Sequence, residues 1–173
     1  NQMKTENLEL ITKLRNMMEH DNYPINDPVS ESFLNSMMRK STSSEGVNAE
    51  LESISNDIAL LLVAQPDYVN FLEIMDGFEY DGLILYSFSV KGEGDKPPVN
   101  NIFLYNDNFR FNDIYSDPNL SERIVIGQDS ISLFTYDFRE NTFQIRDNVG
   151  TENVFGSFSN FTDFLSEILD TVA

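Results

Sequence analysis

The stretch Leu133-Phe134-Thr135-Tyr136-Asp137-Phe138-Arg139-Glu140-Asn141-Thr142-Phe143-Gln144-Ile145-Arg146 decides the fold. Phe134, Tyr136 and Phe138 alternate with Leu133, Thr135 and Asp137, a period of two that belongs to a strand rather than a helix. Phe143 and Ile145 then alternate with Thr142, Gln144 and Arg146, which predicts a half-exposed strand. The polar Arg139-Glu140-Asn141 between them predicts a turn, so the two runs form an antiparallel hairpin.

Further strands are predicted on both sides of this hairpin. Glu122 to Gly127 carries Ile124 and Ile126 on one face, a short strand is expected around Val154-Phe155, and Gly82 to Ser89 is rich in Leu, Ile, Tyr and Phe. After the strands comes a helix with the apolar stripe Phe161, Phe164, Leu165, Ile168, Leu169 and Val172. Asn160 suits its N-cap, and Asp163 suits its positive end.

The first half has helical periodicity. Leu8, Ile11, Leu14 and Met18 share one face of a helix ending near His20-Asp21-Asn22, with Asn7 elsewhere on the wheel. Pro24 and Pro28 follow, then a short helix through Phe33, Leu34, Met37 and Met38. Ser41 to Gly46 reads as a linker. Leu51, Ile54, Ile58 and Leu61 mark the next helix, and Pro66 opens another that carries Tyr68, Phe71, Leu72 and Met75. That helix is expected to stop at Asp76-Gly77, where Gly can take a left-handed cap. Lys91 to Pro98 reads as a loop, and the many Asn and Asp residues of Val99 to Asp117 weaken any regular element there. Helices first, strands next and one closing helix imply an α+β fold with a mainly antiparallel sheet of about four to six strands. The 173 residues favour one domain, with N-terminal helices and a linker over 1–50 and the core over 66–172. Gly77, Gly82 and Gly127 are the glycines expected at turns or caps.

Composition excludes several kinds of chemistry. Without cysteine there is no disulfide, thiol nucleophile or thiolate metal site. His20 is the single histidine, which leaves a triad or a His-rich metal site without partners; near a helix end it needs no role beyond its charge. Asn106-Asp107-Asn108 opens like a calcium loop, but Arg110 and Phe109 fall where ligands are required. Gly92-Glu93-Gly94 precedes Pro97-Pro98 rather than a helix, so no phosphate cradle forms. No catalytic residue, metal or cofactor is predicted. The longest apolar run, Ile58 to Ala64, is too short to span a bilayer, and no signal peptide opens the chain. A cytoplasmic location is therefore expected.

Charge points to a partner. The formal net charge is −18, which repels nucleic acid and anionic membrane and attracts basic proteins. From Ser41 to Val90 there are nine acids and no Lys or Arg. Within that block Asp76, Glu79 and Asp81 flank a helix cap and a strand start, and are expected to be exposed and rigidly held. Asp137 and Glu140 in the hairpin are expected to extend the same field if the sheet's edge lies nearby. Simple solvation of the surface is the plainer account of such charges.

Three segments together resemble a known family. They are Gln65-Pro66-Asp67-Tyr68-Val69-Asn70-Phe71-Leu72-Glu73-Ile74-Met75-Asp76-Gly77-Phe78, then Gly82-Leu83-Ile84-Leu85-Tyr86, then Ile124 to Asp129 with Leu133 to Asp137 and Phe158 to Leu169. In order and spacing they resemble the SUKH superfamily of bacterial immunity proteins, in its YrhA-type subgroup. Asp76 stands where asparagine is usual, and tryptophan is absent. The resemblance implies an α+β fold without a catalytic site. It implies a domain that binds and neutralises a polymorphic toxin, often a basic nuclease, or one that serves as a scaffold or regulator. A carboxylate-based hydrolase is the alternative from another class, although a helix-to-strand turn is a poor place for two carboxylates at catalytic separation.

Overall fold

The computed structural model describes residues 2–39, 49–89, 100–112, 114 and 116–172. Four helices come first: α1 (Gln2–His20), α2 (Glu31–Arg39), α3 (Ala49–Ala64) and α4 (Pro66–Leu72). Strands β1 (Phe78–Tyr80) and β2 (Leu83–Leu85) follow, then helices α5 (Ile102–Phe111) and α6 (Pro118–Ser121). Strands β3 (Ile124–Gln128), β4 (Ser132–Asp137), β5 (Thr142–Asp147) and β6 (Val154–Phe158) lead to α7 (Phe161–Asp170). The six strands form one sheet in the order β1-β2-β3-β4-β5-β6, with every neighbouring pair antiparallel. The fold is α+β. No described helix is long and apolar enough to cross a membrane. The expected linker at 41–46 and loop at 91–98 lie outside the described residues.

The closing helix docks as its stripe requires. Phe161, Phe164, Leu165, Ile168 and Leu169 are all buried, and the Asn160 side chain accepts from the Asp163 N–H. Phe164 meets Phe134 edge-on at 5.4 Å and stacks on Phe143 at 5.3 Å, while Phe161 joins Tyr68 and Phe71 of α4. Such pairs contribute about 0.5–1.5 kcal/mol each beyond their buried area. This aromatic seam fixes α7 and α4 on one face of the sheet.

In α1 the structure corrects the expected stripe. Ile11, Leu14 and Met18 are buried, but Leu8 is 41% exposed and Asn7 is fully buried in its place. Asn7 lies four and seven residues before Ile11 and Leu14, which puts it on their face of the helix. Its Nδ2 donates to the Asp67 carbonyl at 2.9 Å, and the Asp67 carboxylate accepts from Thr162 Oγ1 at 2.8 Å. One residue of α4 thereby links α1 to α7. The next helix is shorter than expected: α4 ends at Leu72, and turn hydrogen bonds carry the chain to Met75. Gly77 then takes φ +69°, where an added Cβ would lie 2.5 Å from the Leu85 carbonyl oxygen.

The Asn-rich segment proves helical, because its amides serve as cap and as strand substitute. Asn101 caps α5 by accepting from the Phe103 and Leu104 N–H groups. Asn106 is fully buried; its Oδ1 accepts from Val125 N–H at 2.8 Å and its Nδ2 donates to Val125 O at 2.9 Å. Strand β2 leaves β3 early, with Tyr86 N bonded to Ile126 O, so a helix side chain satisfies the backbone of Val125 where a neighbouring strand would. Tyr105 stacks on Tyr86 at 4.2 Å and holds α5 in this place.

The polar face of the hairpin is covered rather than half-exposed. Gln144 and Arg146 are 6% and 4% exposed. Arg146 donates to Thr135 Oγ1, Gln144 Oε1 and the Thr151 carbonyl, and Thr151 Oγ1 donates to Asp117 Oδ2 at 2.5 Å. The 148–153 turn and α6 are thereby anchored over β5. Burial lowers the Arg146 pKa from its ordinary value.

Candidate protein-binding surface

The structure separates the acids expected to act together. Asp76 is 7% exposed: its carboxylate accepts from the backbone N–H groups of Phe88 at 2.6 Å and Ser89 at 3.0 Å. Burial raises its pKa, against the lowering effect of those two donors. It is a backbone clasp, not a surface charge: it accepts from the two N–H groups that follow the Ser87–Asn101 bridge. Asp137 is also 7% exposed; it pairs with Arg123 at 3.1 Å and accepts from the N–H groups of Arg139 and Glu140, which closes the β4–β5 turn.

Glu79, Asp81 and Glu140 are exposed. Asp81 (φ +50°) and Gly82 (φ +83°) form the tight β1–β2 turn. Register places this turn at the sheet end that also holds the 129–131 and 148–153 turns, whereas Glu140 sits at the other end. Six residues of β4 at about 3.4 Å each separate the two ends by about 20 Å. That exceeds the screening length of about 8 Å at physiological salt, so Glu140 does not extend the Asp81 field. Gly127, expected at a turn, instead lies within β3. There a Cβ would come 2.3 Å from the Ile84 carbonyl oxygen, so close strand approach demands glycine.

A groove of about 700 Å³ runs along α1 past Leu8, Thr12, Asn16, His20, Asp21 and Tyr80. His20 contacts Asp21 Oδ1 at 3.0 Å, and the Tyr80 hydroxyl donates to Asp21 Oδ2 at 2.5 Å. The Tyr80 hydrogen bond, then His20, holds the Asp21 pKa below its usual value. The same bond pushes the Tyr80 pKa up to about 12, so the hydroxyl keeps its proton and donates to Asp21. Among the described residues no three His, Asp or Glu side chains gather as metal ligands.

The feature absent from the sequence reading lies at the Asp81 end of the sheet. Ile131 is 65% exposed, Val149 91%, Val154 42% and Phe155 62%. Asp129, Asp147 and Glu152 stand on or beside the 129–131 and 148–153 turns, neither of which contains Lys or Arg, whereas Asp81 lies about four strand spacings across the sheet from the second turn, roughly 19 Å away. These exposed apolar side chains, with carboxylates beside them, make this end of the sheet the candidate surface. Strand periodicity hid them, because a Val or Phe in a strand reads as core whatever the register.

No protein-family model matches the chain, and no solved structure matches it. Over 129 residues it is 43% identical to a protein of Escherichia coli (strain K12) named as uncharacterized protein YrhA, an alignment that covers 75% of this chain and 90% of that protein. At that identity and coverage, the chain belongs to the YrhA family.

Proposed function

We propose that this protein is a non-catalytic, cytoplasmic binding domain that neutralises a basic toxin by occupying its active cleft. The observation that carries this reading is the apolar end of the sheet, where exposed Ile131, Val149 and Phe155 stand beside the turn acids Asp129, Asp147 and Glu152. A nuclease cleft is built to hold phosphates, so carboxylates presented on a rigid surface complement it and raise the association rate. The resemblance of Pro66 to Phe78 and of the following strands to SUKH immunity proteins supports the same reading. Neutralisation by occlusion needs no chemistry from the binder, which accords with a Tyr80–Asp21–His20 chain whose hydroxyl is held protonated.

The test is to search the genes beside this one for a toxin domain and to co-express the pair. Growth should be restored, the two purified proteins should co-elute as a stable complex, and the protein alone should hydrolyse no nucleic acid, phosphoester or glycoside. Failure to restore growth, or turnover that disappears on changing one carboxylate, rejects the proposal.

A further inference from the structure

We propose that Phe155, at the same end of the sheet as Val149 and Ile131, is the anchor that holds the partner, and that the partner presents an apolar recess ringed by Lys or Arg. This rests on the binding reading above and adds the contact residues and the partner chemistry to it.

Strand β6 is an edge of the sheet, paired on one side only. Its register shifts against β5: Ile145 pairs with Gly156 while the next residue, Arg146, pairs with Val154. Phe155 is therefore an extra residue without a partner on β5, and its ring is 62% exposed. A bulge of this kind re-aims a side chain and interrupts the regular ladder that an added strand would need. Partner contact at this edge is accordingly made by the side chain, not by strand addition. An exposed aromatic on a regular scaffold is the usual composition of an interface anchor.

The neighbouring apolar groups are held, not loose. Asn148 N–H donates to Ile131 O at 3.0 Å, and Asn148 Nδ2 donates to Ser130 O at 3.2 Å, so the 129–131 and 148–153 turns are joined to each other. Val149 N–H donates to Asp147 Oδ1 at 3.0 Å, Asn153 N–H to Gly150 O at 2.9 Å, and buried Arg146 grips the Thr151 carbonyl from below. Turns fixed in this way lose little conformational freedom on binding, which removes one of the main costs of association.

The rim selects the partner's charge. Asp129, Asp147 and Glu152 lie on or next to the turns that carry the apolar group, and neither turn contains Lys or Arg. A second copy of the chain is a poor occupant. A twofold contact here would bring the same carboxylates against one another in a molecule already carrying −18. A basic surface removes that repulsion.

The experiment selects binders to the full chain from a phage-displayed library of random peptides, then measures the selected peptides against variants. Selected sequences should be enriched in Lys and Arg around an aliphatic or aromatic residue. Phe155→Ser should weaken them about tenfold or more, the loss of one anchor side chain. Val149→Ser should weaken them several-fold, whereas Leu8→Ser, on the exposed face of α1, should not. Both test residues are exposed, so unchanged thermal melting confirms that the fold survives; Val149, on a turn, serves if Phe155→Ser melts early. No basic bias, no selected peptide, or indifference to both variants overturns the proposal. So does a concentration-dependent dimer that Phe155→Ser abolishes, which would make a second copy the occupant. Toxin neutralisation that survives Phe155→Ser rejects this surface and keeps the toxin reading; peptide results as expected without any neutralisation reject the toxin reading and keep the surface.

Discussion

Asn106→Asp replaces one buried atom and reverses its hydrogen-bonding sense. Asn106 Oδ1 can still be matched by an oxygen that accepts from Val125 N–H at 2.8 Å. The other oxygen, where Nδ2 now donates to Ile102 O at 2.8 Å and Val125 O at 2.9 Å, faces two carbonyl oxygens. A carboxylate there is a buried charge without compensation, for which losses of about 3–5 kcal/mol are usual. The carboxyl escapes by taking a proton. A penalty of about 3 kcal/mol corresponds to a rise of about two pKa units at 1.36 kcal/mol each, from about 3.9 to about 6. The folded pKa then lies above the unfolded one, so the folded state binds more protons between them and stability is lost as pH rises through that window. Urea unfolding followed by circular dichroism should show the variant about 3 kcal/mol less stable than the parent at pH 7, with the gap shrinking at pH 5. In melting temperature the pH 7 loss is about 6–12 °C for a chain of this length. A difference below about 1 kcal/mol at pH 7, or one that does not shrink in acid, would refute the assignment of Asn106 as the partner of the Val125 backbone.

Phe164→Ala should cost about 3–5 kcal/mol, since the ring is fully buried between Phe134 and Phe143; equilibrium denaturation measures it, and a loss under 1 kcal/mol contradicts the seam. For Asp76 the folded pKa is raised above 3.8 by burial, so its charged form weakens the fold as pH rises through the folded value. The stability of the parent relative to Asp76→Asn should therefore increase as pH falls through the folded value toward 3.8, and a pH-independent difference would remove that account. Glu79→Gln with Asp81→Asn should slow capture of the toxin domain and flatten the salt dependence of its association rate without changing melting; stopped-flow kinetics across a salt series checks it.

Periodicity made the sheet legible. The β4–β5 hairpin and α7 stripe were readable because alternate or every-third-and-fourth residues face one packed surface, and those surfaces exist. The sequence was silent where a polar side chain works for a distant backbone. Asn106, Asn101 and Asp76 look like loop or solvent residues, yet they satisfy N–H and C=O groups up to 19 positions away. Asn7 was likewise assigned to the outer face because an amide is polar, although its partner, Asp67 O, lies 60 positions on. Asp76 is buried for this reason, whereas Asp137 is drawn in by its own turn and by Arg123. The apolar end of the sheet stayed hidden for the opposite reason: Phe155 has the composition of a core strand, but it stands on the edge strand β6, where it is left exposed.

Asn7, Asp67 and Thr162 together set a schedule for synthesis. The sheet grows strand by strand in chain order, so β3 to β6 can pair as they emerge. The joint among α1, α4 and α7 cannot close until Thr162 exists. At about 5–20 residues per second, the interval between making Asn7 and making Thr162 is roughly 8–30 s. For that time Ile11, Leu14 and Met18 lack their final covering, which makes the nascent N-terminal helix the part of this chain most exposed to chaperones. A chain stopped before Thr162 would carry that apolar stripe permanently, and degradation of such fragments should depend on α1.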